Sequence, residues 1–190
     1  MKPYNGYEAK PIVKKETLPK GGYVAKIVNA KEMVYDWGRQ LVIGFDILEG
    51  EYKGFFQKDF AQNPNEDKKW RGTFRLRVPN DDGSEQDNWA KNSFGHATWA
   101  IEDSNPGYHW DWNEAGLKGK IVGVLFRNKE WEFNGNTGWT TECCAFCPVD
   151  EIHSGKFKMP KDKPLKTSVQ KEAAASEGFE EIQGLDDLPF

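Results

Sequence analysis

The chain alternates β-type segments with turn signals over most of its length. These segments are rich in β-branched and aromatic residues, which is typical of strands. One stretch instead shows helical spacing, and Asp87 and Asn88 offer an N-cap before it. The sequence therefore predicts three strands, one helix and two further strands, in the order 23–30, 41–47, 55–60, 87–102, 121–133 and 138–146.

Two turns are expected to fold four of these strands into hairpins. Residues 36–39 (Asp-Trp-Gly-Arg) form the first turn, and residues 134–136 (Asn-Gly-Asn) form the second. The strand order predicts an OB-fold-like Greek-key barrel of five strands, mainly β, with one helix between strands 3 and 4. Residues 61–88 exceed what this fold needs. We interpret them as an inserted loop that includes an extra strand at 72–78.

Composition divides the chain into an arm (1–20), a domain (21–160) and a tail (161–190). The tail is poor in aromatic residues and rich in Lys and Pro, then in Ala and Glu, which predicts disorder. Residues 172–190 hold six acidic residues and no Lys or Arg. Of the chain's 30 acidic and 26 basic residues, 24 and 26 therefore remain in residues 1–171. The net charge of −4 thus conceals a body that is close to neutral.

Cationic and aromatic residues alternate with apolar ones on several predicted strands. Cations can neutralise phosphates, and aromatic rings can stack on unpaired bases. This alternation predicts that single-stranded nucleic acid binds residues Lys26, Lys31, Tyr35, Trp37, Arg39, Arg75, Arg77, Arg127, Lys129, Trp131 and Phe133. The alternative is that the rings belong to the core and that the cations form a solvated face.

The last five residues, Asp186, Asp187, Leu188, Pro189 and Phe190, combine acidic side chains with an aromatic anchor. This segment resembles the acidic tip of bacterial single-stranded DNA-binding proteins. In that family the tip recruits replication and repair enzymes. The resemblance implies that these five residues bind partner proteins.

A second resemblance covers about residues 18–150. Residues 18–24 (Leu-Pro-Lys-Gly-Gly-Tyr-Val), 43–54 and 117–120 (Leu-Lys-Gly-Lys) are similar to those of phage-encoded single-stranded DNA-binding proteins. The resemblance implies binding of single-stranded DNA without sequence specificity during phage DNA replication, recombination and repair. It also implies a location in the cytoplasm of the bacterial host.

The sequence contains no pattern that we associate with catalysis or a cofactor. A zinc site would need a fourth ligand, such as His153, beside Cys143, Cys144 and Cys147, and buried reduced thiols explain this cluster more simply. The carboxylates of residues 81–87 are expected to form a solvated loop rather than a magnesium site. We therefore expect no enzyme, no metal and no cofactor.

The sequence has no signal for secretion or membrane insertion. The N-terminus lacks the apolar region of a signal peptide, and no apolar run has the length of a membrane span, so we expect a cytoplasmic protein without membrane contact.

The sequence leaves other functions open. Because the body is close to neutral, the main alternative is an interaction module or recombination mediator that uses the same tail but does not bind DNA. A carbohydrate-binding module is the third reading. The sequence leaves the oligomeric state open, including a homo-oligomer.

Overall fold

An antiparallel sheet of five strands forms the body of the protein. The computed structural model describes residues 2, 7, 16–64 and 67–165. The strands are β1 (Gly21–Tyr35), β2 (Gly38–Ile47), β3 (Thr73–Arg77), β4 (Ile121–Phe133) and β5 (Asn136–Cys147). They follow the order β3-β2-β1-β4-β5 across the sheet, so β3 and β5 are its edges.

The prediction of a mainly β fold is confirmed, whereas the sheet is open rather than closed by strand pairing. The described residues also form three α-helices and one 3₁₀-helix instead of a single helix. They are α1 (Phe55–Gln62), α2 (Glu85–Ser104), the 3₁₀-helix Glu114–Leu117 and α3 (Val149–Ser154). None of the helices in this part of the chain has the length and apolar composition needed to cross a membrane.

The predicted third strand, residues 55–60, is wrong because these residues form helix α1. The carboxylate of Asp46, in β2, accepts hydrogen bonds from the backbone N–H groups of Phe56 (2.9 Å) and Gln57 (3.3 Å). These donors belong to the first turn of α1, where no preceding helical carbonyl can pair with them. The third strand of the sheet is instead β3, which lies in residues 72–78, the segment predicted as an extra strand within the insertion.

Helix α2 spans the helical segment expected at residues 87–102, but its N-cap is Ser84. The Ser84 hydroxyl accepts the backbone N–H of Asp87 at 3.1 Å, so Asp87 lies in the first turn of the helix. The Asp87 carboxylate accepts the N–H groups of Asn80 and Asp81 and thereby fixes the loop before the helix. The buried side of α2 includes Phe94, which packs on the sheet core.

The two predicted hairpin turns are confirmed. Asn134 and Gly135 connect β4 to β5 with φ values of 50° and 76°, as expected of an Asn-Gly turn. Asp36 and Trp37 connect β1 to β2. An exposed aromatic side chain lies at each turn, Trp37 at the first and Phe133 directly before the second.

The core lies on the inner face of the sheet, under α1 and α2. Its most deeply buried members include Phe45, Phe146, Ile27 and Val122. Leu18, from the predicted arm, is 2% exposed and belongs to the same core. Its carbonyl accepts the hydroxyl of Thr141 on β5, so this part of the arm is an integral part of the fold.

The start of the predicted tail lies against β4. The N–H of Lys163 donates to the carbonyl of Asn128 at 2.8 Å, and the N–H of Glu130 donates to the carbonyl of Lys163 at 2.9 Å. Lys163 and Lys129 form an isolated parallel bridge. The remainder of the tail, including Asp186, Asp187, Leu188, Pro189 and Phe190, lies outside the described residues.

Candidate nucleic-acid interface

A groove of about 660 Å³ is lined by the two edge strands and by helix α2. Residues 73–77 of β3 and 141–146 of β5 contribute to its walls, and α2 contributes side chains between Gln86 and Ala97. The rings of Phe74 and Phe146 are 4.5 Å apart and connect the two edges through their side chains. The groove therefore lies along the gap between the two edge strands, β3 and β5, which do not pair with each other.

The groove is cationic although the body as a whole is close to neutral. Among the described residues that line it, the only carboxylate is that of Glu142. A concentration of one sign of charge in a concave surface strengthens the local potential and attracts polyanions. The cations are Arg71, Arg75, Arg77, Arg127, Lys129 and Lys163.

Arg75 and Arg77 lie on the outer face of β3, as their alternation with buried Leu76 predicted. They are register partners of Val42 and Gln40 in β2. Arg75 is exposed and has no ion pair with a carboxylate of the described residues. Its guanidinium is therefore available to an anionic ligand.

Arg127 and Lys129 lie on the outer face of β4, but Arg127 is 7% exposed. The Nε and Nη2 groups of Arg127 donate to one oxygen of Glu142 at 3.2 and 3.1 Å. Lys129 contacts the other oxygen at 2.8 Å. Arg127 thus orients Glu142, whereas the partly exposed Lys129 remains within reach of a ligand.

Glu142 remains ionised at neutral pH because of these cations. Burial raises the pKa of its carboxyl. The hydrogen bond and charge of Lys129, together with the charges of Lys163 and Arg127, outweigh burial and hold the pKa below its ordinary value. The carboxylate therefore offsets part of the positive charge at the β4–β5 side of the groove.

The first hairpin contributes an exposed indole to the groove. Trp37 lines the groove and is 56% exposed. Its ring stacks on Tyr35 with centroids 4.9 Å apart and an interplanar angle of 6°. Arg39, by contrast, forms an ion pair with Glu32 and donates to the carbonyl of Pro79, and it does not line the groove.

Trp131 and Phe133 lie at the end of the second hairpin, outside the groove lining, and are 40% and 70% exposed. The indole of Trp131 packs over its register partner Gly138, and a Cβ atom at position 138 would lie only 2.7 Å from the ring. Lys26 and Lys31 are exposed on β1 and also lie outside the groove lining. The groove thus unites only part of the predicted set, namely Trp37, Arg75, Arg77, Arg127 and Lys129.

The predicted set lacks four cationic, indole or imidazole side chains that line the groove: Arg71, Trp89, His96 and Lys163. Trp89 and His96 are two helical turns apart on α2, a spacing that could have identified a shared flank. Arg71 precedes β3 and forms a 2.8 Å ion pair with Asp59. No local pattern indicated Lys163, since its position depends on pairing with β4.

The three cysteines are thiols that form no disulfide among the described residues, and Cys147 is buried. Burial raises the pKa of Cys143 well above its ordinary value and raises the pKa of Cys147 to about 12. These two thiols are therefore protonated at neutral pH. Within the described ranges, no three His, Cys, Asp or Glu side chains form a group that could hold a metal ion.

The groove can bind an extended ligand that carries several anionic groups and planar rings. Its guanidinium and ammonium groups can contact the anions, and its indoles can stack on the rings. No protein-family model matches the chain, and no curated protein is significantly similar to it.

Proposed function

We propose that the protein binds single-stranded DNA, without sequence specificity and without catalysis, in the groove between β3 and β5. The observation that carries this proposal is the composition of the groove lining, where the described residues supply six cations, the exposed Trp37 and one carboxylate. The cations can neutralise phosphates, and the indoles can stack on the faces of unpaired bases. A duplex keeps its base faces stacked within the helix, so the same groove favours the single strand.

The strand order supports an OB-fold as the basis of this binding. The sheet order β3-β2-β1-β4-β5, with α2 between β3 and β4 along the chain, is the order that such a Greek-key barrel would have if it were opened between β3 and β5. OB-folds bind oligonucleotides on the face of strands 2 and 3 and on their hairpin loops. Arg75 and Arg77 lie on that face, and Trp37 lies on the β1–β2 turn.

A titration with labelled oligo-dT and with duplex DNA of equal length tests this proposal. We expect the single strand to bind at least about tenfold more tightly, and its affinity to fall steeply with salt concentration. Fluorescence anisotropy measures both affinities. Equal or tighter binding of the duplex would overturn the proposal. Absence of binding to either DNA would favour the interaction module.

We further propose that Asp186, Asp187, Leu188, Pro189 and Phe190 recruit replication and recombination enzymes to the bound strand. The acidic residues match a basic rim, and Phe190 supplies an apolar anchor. We propose that this recruitment serves phage DNA replication, recombination or repair in the cytoplasm of a bacterial host.

Removal of Leu188, Pro189 and Phe190 tests the recruitment proposal. We expect at least about tenfold weaker binding of a purified repair enzyme that recognises such acidic tips, because the apolar anchor is lost. Affinity for oligo-dT should not change. Surface plasmon resonance with the full-length and truncated chains compares the enzyme affinities. An unchanged enzyme affinity would refute recruitment through this segment.

A further inference from the structure

An aromatic strip on α2 leads out of the groove. Trp89 and His96 line the groove and are two helical turns apart. Trp99 follows one turn later, with its ring centroid 5.4 Å from that of His96. From Trp89 to Trp99 the helix advances about 15 Å. We call these three residues the α2 strip.

Trp99 is 47% exposed and therefore offers ring surface to a ligand. By helical spacing, the same flank of α2 carries the exposed polar residue Asn92 between Glu85 and Asp103. Glu85 and Asp103 are the carboxylates at the two ends of this flank. Asp103 lies one turn beyond Trp99. Because its carboxylate would repel phosphates, a polyanionic ligand can follow the strip only as far as Trp99.

An exposed indole from the loop after α2 packs against the opposite flank of the helix, outside the groove. Trp112 is 68% exposed, and its ring stacks on Phe94 with centroids 5.4 Å apart. Neither residue lines the groove. The pair shows that an exposed indole beside α2 need not belong to the strip, and it provides a matched control.

We propose that single-stranded DNA leaves the groove along the α2 strip and stacks a base on Trp99. This inference rests on the proposed function and extends its binding site from the sheet onto the helix. The ligand class is the same, because a second base-stacking surface continuous with a cationic groove suits the next nucleotides of one strand. The flank has no Lys or Arg at the strip positions, so the contact depends on stacking rather than on phosphate neutralisation.

Affinities for short and long oligo-dT test the inference. A strand of about 6 nucleotides should occupy the cationic groove alone, and one of about 30 nucleotides should also reach Trp99. We expect Trp99→Ala to weaken binding of the long strand about tenfold and to leave the short strand unchanged, in line with the loss of one stacked base. The salt dependence of binding should not change, since no phosphate contact is removed.

Two further variants separate stacking from structural effects. Trp99→Phe keeps an aromatic face and should restore most of the affinity for the long strand. Trp112→Ala removes an indole that is even more exposed than that of Trp99, and this variant should bind both strands like the unaltered protein. Thermal unfolding of each variant verifies that it is folded.

The inference is overturned if Trp99→Ala binds the long strand normally, or if it weakens both strands equally. It is also overturned if Trp112→Ala causes the same loss. These outcomes differ from a failure of the proposed function, in which the unaltered protein would not prefer single-stranded DNA at all.

Discussion

Replacing Arg75 and Arg77 together with alanine should weaken binding of oligo-dT about 100-fold at moderate salt. Both side chains lie on the outer face of β3 and line the groove. A hydrogen bond to a charged group contributes about 1.5–3 kcal/mol, and about 1.4 kcal/mol corresponds to a tenfold change in affinity. If each arginine contacts one phosphate, the slope of log K against log salt should become shallower by about 1.4. Anisotropy titrations at several salt concentrations measure both quantities.

Removing two exposed lysines outside the groove provides the control. Lys118 and Lys156 are exposed and do not line the groove. The double variant Lys118→Ala/Lys156→Ala changes the net charge by the same amount as the arginine variant. We expect its affinity to fall less than about threefold, because distant surface charges are screened. An equal loss in both variants would mean that net charge, rather than the groove, determines binding.

The strands and hairpins could be predicted because their signals are local. The Asn134-Gly135 turn is specified by two adjacent residues, and alternation on β3 identified which face carries Arg75 and Arg77. Such patterns depend only on the period of a strand. They therefore remain valid without knowledge of the tertiary fold.

Helix α1 could not be predicted in this way because a distant residue stabilises it. Residues 55–60 include two adjacent phenylalanines and have no side-chain N-cap of their own. The acceptor for the first turn of the helix comes from Asp46, ten residues before Phe56. The local pattern favours a strand, whereas the hydrogen bonds from Phe56 and Gln57 to Asp46 stabilise a helix.

The groove was predicted only in part, since it brings together residues from remote segments. Alternation placed Arg127 on the outer face of β4, but it did not indicate that Glu142 would pair with this side chain. Likewise, the helical period of α2 indicates its buried side, but it does not show that the flank with Trp89 and His96 borders the groove. Whether a cation is paired or available depends on contacts across the sheet, which no single segment encodes.

Replacing Asp46 with alanine should lower the free energy of unfolding by about 2–4 kcal/mol. Asp46 is 9% exposed. Its Oδ1 accepts the N–H groups of Ile47 and Phe56, both at 2.9 Å, and its Oδ2 accepts that of Gln57 at 3.3 Å. Alanine would leave buried donors without partners and would remove the acceptor that stabilises the first turn of α1. Urea denaturation measures the change.

Two variants identify the cause of this loss. Asp46→Asn retains an oxygen for Ile47 and Phe56, so it should cost only about 1 kcal/mol. Glu132→Ala removes an exposed carboxylate at the end of β4 and should change stability by less than about 0.5 kcal/mol. If Asp46→Ala proves no less stable than Glu132→Ala, the cap on α1 is not what stabilises this helix. Helix α1 would then be held mainly by the packing of Phe56 against Phe45, whose ring centroids are 5.7 Å apart.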